Sequence, residues 1–178
     1  SYINIDKNMI VNDTVGDVDV VWYDVRREPF SLHGFYEPLT EPFFRRADLV
    51  TVNCDAVESF TEAFSLNPQV NGLNRREICA YMKEIGLSEN LKSVGLFNYN
   101  IYTDHQLNHQ LLAQMIWYLI EGISIQKSHP KERQYETYYV LIGDQQYAFK
   151  RDSFSDLWYF GDQDNIDDCV PCAKSDFE

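Results

Sequence analysis

The chain has 178 residues, 44% of them hydrophobic and 15% aromatic, with a formal net charge of −13. That is one domain of ordinary size or part of a larger one, long enough to bury about 70% of its unfolded surface and too apolar for a disordered segment. The acidity argues against binding a phosphate backbone, which needs clustered cations, so no nucleic-acid partner is expected.

No stretch approaches the roughly 20 apolar residues of a membrane span. The best candidate, residues 107–125, is interrupted by Asn108, His109, Gln110, Gln114 and Glu121. Residues 1–6 lack the basic region and apolar run of a secretory signal. Four unevenly spaced cysteines do not read as a disulfide framework, and a reducing cytoplasm is the expected setting.

In chain order, residues 1–6 and 18–23 read as short strands, the second rich in β-branched and aromatic residues. Residues 28–42 carry Pro29, Gly34, Pro38 and Pro42 and read as loop. A short helix from Glu41 to Ala47 leads into a strand at 48–53. That strand is a continuous apolar run, as expected where both sheet faces are covered. Residues 55–73 form a long segment with Phe60, Phe64 and Leu66 near helical spacing. Asn74 then caps a helix to about Gly86, with Glu77 completing a capping box and Ile78, Met82 and Ile85 as its buried stripe. A strand at 93–99 follows. The helix from about Asp104 to Gly122 is expected to bury Leu107, Leu111, Met115, Leu119 and Ile120, with Leu112, Ile116 and Ile123 widening the face. From Tyr135 the texture becomes a β-hairpin, 138–142 and 146–150 around Gly143-Asp144, with a third strand near 157–160. The basic linker 127–133 is the expected boundary between an α/β domain (1–126) and a C-terminal hairpin appendage (134–178).

Two strand tips draw the functional reading. Leu49-Val50-Thr51-Val52-Asn53-Cys54-Asp55 and Val94-Gly95-Leu96-Phe97-Asn98-Tyr99-Asn100 both end in amides where a metal hydrolase would carry carboxylates. Asn53, Asp55, Asn98 and Asn100 form the candidate ligand pocket, since α/β proteins place ligands at strand C-termini. The plainer reading is that these amides satisfy backbone groups, and the two weigh evenly. Other features favour the plainer side. His105 and His109, four apart, lack the Glu of a zinc-protease helix and read as a solvated first turn. Cys169 and Cys172 lie near the chain end with little room for the helix that would activate a thiol. Asp162, Asp164, Asp167 and Asp168 lack calcium-loop spacing. Trp117, Tyr118, Trp158, Tyr159 and Phe160 read as packing, with oligomer contact as the alternative.

Residues 48–122 resemble the arginase and formimidoylglutamase (ureohydrolase) family. The resemblance rests on Asn53 and Asp55 at the family's aspartate pair, Asn71-Gly72-Leu73 with Glu77, and Asn98-Tyr99-Asn100-Ile101 at the family's Glu-x-Asn-Pro strand end. The run Ala113-Gln114-Met115-Ile116-Trp117-Tyr118-Leu119-Ile120-Glu121-Gly122 is similar to formimidoylglutamase-like proteins of the Bacteroidetes type, as is Val170-Pro171-Cys172. The resemblance implies a three-layer α/β/α sandwich with a mostly parallel sheet, plus the C-terminal antiparallel appendage. It also implies a binuclear Mn²⁺ centre that activates water. Asp55, and Asp6 in the family's Asp-Ala-His-x-Asp position, are the ligands it leaves. Asn8, Ile10, Asn53 and Asn98 replace others, and the family's Gly-rich, His-containing motif has no counterpart.

Mn²⁺ is therefore expected by resemblance only, and no cofactor by the residues themselves. The expectation is a non-catalytic relative acting as a binding or structural-interaction module, with a protein partner or a homo-oligomer. The alternative is an active Mn²⁺-dependent ureohydrolase whose other ligands lie outside this chain.

Overall fold

The computed structural model describes residues 2–6, 13–15, 18–24, 41–59, 62–70 and 72–177. Asn8 and Ile10, most of the proline-rich loop, Phe60 and Asn71 lie outside the described residues. The chain divides into two compact units, Ser1–Glu37 with Phe44–Gln126 and Pro38–Phe43 with Lys127–Glu178.

The first unit is built on a five-stranded sheet in the order β2-β3-β1-β4-β5. Its strands are β1 (Tyr2–Asp6), β2 (Asp13–Val15), β3 (Val18–Asp24), β4 (Leu49–Asn53) and β5 (Ser93–Phe97). β3, β1, β4 and β5 run parallel and β2 is antiparallel to β3. A helix, α2 (Arg75–Leu87), forms the crossover from β4 to β5, as parallel neighbours require. A one-turn helix, α1 (Glu41–Phe44), precedes β4; it starts at Glu41 as expected, where the expected loop and helix overlapped, and stops short of Ala47.

Burial on β4 alternates. Val50 and Val52 are fully buried, whereas Leu49 is 39% exposed and Thr51 is half-buried. The expectation of two covered faces therefore holds fully on one face only. Val50 and Val52 join Ile3, Ile5, Ile78, Met82, Ile85, Leu111 and Met115 in one core. Leu91, Val94 and Leu96 pack partly against it.

The start of α2 is fixed locally. Asn74 Oδ1 accepts from the backbone N–H groups of Arg76 and Glu77, and Glu77 Oε2 accepts from the Asn74 N–H. This is the expected capping box, and it satisfies donors that a helix N-terminus otherwise leaves open. α3 (Gln106–Lys127) crosses α2 where Gly86 meets Gly122. A Cβ on Gly86 would come within 2.3 Å of the Leu119 carbonyl oxygen, and one on Gly122 within 2.2 Å of that of Lys83. The backbones touch there because neither residue has a side chain, and a Lys83–Glu121 ion pair at 3.1 Å flanks the crossing.

α3 runs five residues past its expected end, and its face is narrower than expected. Leu111, Met115 and Gly122 are buried, but Leu107, Ile116 and Ile120 are exposed. The close crossing commits a single stripe of α3 to the core. Trp117, expected to pack, is 69% exposed.

The second unit is an antiparallel sheet in the order β6-β7-β8-β9. Its strands are β6 (Tyr135–Ile142), β7 (Gln145–Asp152), β8 (Trp158–Phe160) and β9 (Val170–Cys172). The hairpin is longer than expected, and β9 adds a strand not foreseen. Gly143 sits at φ +63° in the two-residue turn, the position a type II′ hairpin reserves for glycine. Phe149, Trp158 and Cys172 form a small core, covered in part by Tyr138, Val140, Tyr147 and Phe177. The rings of Trp158 and Phe177 stack at 4.6 Å. Asp152, 1% exposed, accepts from the N–H groups of Phe154 and Ser155 and pairs with Arg133 at 3.5 Å. Among the described residues no helix is long and apolar enough to cross a membrane.

Candidate functional site

The β4–β5 pairing decides what the strand tips can do together. Asn53 lies in register with Phe97, so the segments after these residues emerge side by side at one end of the sheet. Asn53 caps a single 3₁₀ turn, Cys54–Ala56, its Oδ1 accepting from the Asp55 N–H at 3.0 Å. That turn swings Asp55 inward, leaving it only 2% exposed.

Burying a carboxylate is costly unless its oxygens are supplied with donors. Asp55 is supplied by amides. Its Oδ1 accepts from the Asn67 backbone N–H at 3.2 Å, and its Oδ2 from Asn67 Nδ2 at 3.1 Å and Asn98 Nδ2 at 3.4 Å. Asn98 Nδ2 also reaches Asn53 Oδ1 at 3.2 Å. Asn53, Asp55 and Asn98 are thus brought into one network, with Asn67 as a fourth member that the sequence reading missed. Only the Asn67-Pro68 turn signal marked that position, and turn chemistry alone does not say which strand tip an amide will reach.

Asn98 has a second reason to be an amide. Its φ is +59°, in the left-handed region that asparagine tolerates better than other side chains. A glutamate would strain the backbone here. Asn100 is not part of the network. Its Nδ2 donates to the Ala63 carbonyl at 3.1 Å and its Oδ1 accepts from the Tyr102 N–H at 3.1 Å.

The long segment after Asp55 is pinned to both tips. Val57 bridges Leu73, Glu58 bridges Gln69 and Ser65 bridges Tyr99. Phe64, Leu66 and the residues between follow these bridges rather than the helix their spacing suggested. Tyr99 Oη lies 2.8 Å from His109 Nδ1, which ties the β5 tip to the first turns of α3. Burial, and secondarily the neighbouring Cys54, raise the Tyr99 pKa. Burial and then the Asp55 charge push the Cys54 thiol up to about 12, far from the low values of reactive cysteines.

Asp6 ends β1, one position beyond the Ile5–Val52 register pair and so level with Asn53 at the same end of the sheet. Among the described residues no group of three or more His, Cys, Asp and Glu side chains could hold a metal ion. Mn²⁺ does not fit the residues at the tips. Among the described residues of the β4 and β5 tips the carboxylate is Asp55, and both its oxygens accept from N–H donors, the opposite polarity to a cation. His109 is engaged by Tyr99 rather than by His105.

Comparison with family models, curated proteins and solved structures finds no match for this chain. The chemistry of the tips therefore stands on its own geometry.

Cys169 and Cys172 are both buried. Cys169 Sγ points to the Gln163 carbonyl and side chain, while Cys172 lies opposite Trp158. Asp162, Asp164, Asp167 and Asp168 are exposed. Trp158 and Tyr159 are buried as expected, and Phe160 is 39% exposed. A concavity of about 460 Å³ opens between Tyr139, Tyr147, Phe160 and Asp162 in the second unit, and none of the strand-tip amides lines it.

Proposed function

We propose that this chain is a non-catalytic relative of the arginase and formimidoylglutamase proteins it resembles, a three-layer α/β/α scaffold serving as a binding or structural-interaction module. One observation carries this reading: both oxygens of the buried Asp55 are engaged by Asn67 and Asn98. A carboxylate so engaged acts as an anchor for the 55–73 segment, since a metal would have to displace several hydrogen bonds to reach it. Asn98, at the position where the family carries a glutamate, joins Asn67 in supplying the donors that keep Asp55 buried.

The test is hydrolysis of N-formimidoylglutamate, arginine and agmatine by the full chain with added Mn²⁺. No turnover is expected. A rate above about 1 s⁻¹, the low end for ordinary enzymes, overturns the proposal.

The second reading is a Mn²⁺-dependent ureohydrolase that takes its remaining ligands from elsewhere. It draws on the position of Asp6 level with Asn53. Calorimetric titration with Mn²⁺ separates the two: heat that disappears in Asp6→Asn favours the second reading, and no heat favours the first.

A further inference from the structure

Among the described residues, the outer strand of the antiparallel sheet lacks the protections that sequence and pairing usually give a sheet edge. Edge strands are normally short or carry lysine, proline or a bulge, because their unpaired backbone groups invite another strand. At the other edge of this sheet, β9 follows the rule: it has three residues and contains Pro171. β6 does not. It runs eight residues, Tyr-Glu-Thr-Tyr-Tyr-Val-Leu-Ile, pairs with β7 without interruption, and contains neither lysine nor proline.

The hydrogen-bond phase of the hairpin shows which groups face outward. The Ser153 N–H donates to the Gln134 carbonyl at 2.9 Å, making Gln134 and Ser153 a hydrogen-bonded pair. Along an antiparallel ladder such pairs alternate with non-bonded ones. Glu136, Tyr138, Val140 and Ile142 therefore bond to β7, and Thr137, Tyr139 and Leu141 turn their N–H and C=O groups away from it. Tyr139 and Leu141 are also 63% and 72% exposed, and Ile142 at the turn is 65% exposed.

We infer that β6 is a strand-pairing interface, and that its partner is β6 of a second copy of this chain, antiparallel across a two-fold axis through Tyr139. An isologous contact needs a self-complementary register, and this strand has one. With Tyr139 opposite Tyr139 of the second copy, Thr137 falls opposite Leu141, so the outward-directed backbone groups meet as bonded pairs. The single charge of β6, Glu136, falls opposite Ile142 and not opposite its own copy. Asp144 at the turn falls opposite Gln134, beside Arg133. No like charges are opposed across the strands, an arrangement that otherwise destabilises cross-strand pairs. The two copies continue one sheet, with Tyr139 beside Tyr139 of the second copy and Leu141 beside its Thr137. The net charge of −13 on each copy opposes association at long range, so added salt should strengthen the pair.

This inference uses residues of the second unit alone, so its fate is separate from that of the strand-tip reading. The test is sedimentation of the full chain over a range of concentrations, with Leu141→Lys and Tyr139→Pro. Neither substitution touches a group bonded to β7, and proline is tolerated where an edge N–H faces solvent. A dimer is expected whose dissociation constant falls as salt is added. Each substitution should raise that constant by about tenfold or more while circular dichroism is unchanged. Amide exchange gives an independent readout: protection at Thr137, Tyr139 and Leu141 should rise with concentration, while Tyr138 and Val140 stay protected throughout. A monomer at every concentration overturns the proposal, as does a dimer indifferent to both substitutions or outward amides whose exchange ignores concentration.

Discussion

At the scale of the residue, Asn98 answers two demands at once. Its backbone sits at φ +59° and its side chain donates to Asn53 and Asp55. The two can be separated by substitution. Asn98→Gly keeps the backbone geometry and loses the donor, and should cost about 1 kcal/mol, the ordinary net value of a hydrogen bond. Asn98→Val loses the donor and also forces a β-branched residue into the left-handed region, adding about 1–2 kcal/mol. Urea denaturation of the two variants should show Val clearly below Gly, and equal midpoints would remove the backbone argument. Cys54 gives a prediction in pH. Its thiol is raised from an ordinary value of 9.0 to about 12, first by burial and then by Asp55. The neutral thiol is favoured by folding, so its contribution is complete below about pH 9 and is lost as pH rises from there towards 12. Midpoints measured at pH 7 and pH 10 should therefore differ, and the difference should shrink in Cys54→Ala. In the native state at pH 8 iodoacetamide should leave Cys54 unmodified, and rapid labelling of Cys54 in folded protein would contradict its burial.

At the scale of the element, the α2–α3 crossing depends on two absent side chains. Gly122→Leu places its Cβ against the Lys83 carbonyl, a backbone atom that cannot yield without moving the helix. Forcing extra atoms into a packed contact costs about 1–3 kcal/mol. A calorimetric scan should show a lowered melting temperature for Gly122→Leu, while Glu121→Ala, beside it but in an exposed ion pair, should change little. This crossing also explains why α3 was only partly legible in the sequence. Apolar spacing marked the helix and its inner residues Leu111 and Met115, because local periodicity reports which positions share a face. It could not report how much of that face the neighbour would cover, so Leu107 and Ile120 were counted as core. The capping box at Asn74 and Glu77 was legible for the opposite reason: all its partners lie within one turn. The strand tips fall between these cases. Asn53, Asp55 and Asn98 could be picked out by type and position, but Asn67 joins Asp55 from twelve residues away through a loop whose course is set by tertiary bridges. β9 was missed because three residues around a proline carry little strand signal, and the pairing with β8 supplies what the local sequence lacks.

At the scale of the whole molecule, two units with separate cores need not lose their structure together. The second unit rests on the cluster of Phe149, Trp158 and Cys172 with its partial cover, beside the buried Ala148, Tyr159 and Cys169, a small core for some fifty residues, and domains of that size are marginal. Denaturation followed by near-ultraviolet dichroism from Trp158 and its stacked partner Phe177 should precede the loss of helical signal from α2 and α3. Coincident transitions would show instead that the chain unfolds as one cooperative body. The bridges that pin residues 55–73 lead to a different expectation, one about covalent continuity. Leu66 and Val70 stand 54% and 89% exposed within that segment, in reach of a protease that cuts beside aliphatic residues. Yet the chain on the N-terminal side is tied down by Val57 and Glu58, and that on the C-terminal side by Leu73 and Gln69. β4 and β5, on either side of such a nick, remain neighbours in one sheet. A single cut at Leu66 should thus yield two bands on a denaturing gel and one undiminished particle in sedimentation: a protein in two pieces that stays together.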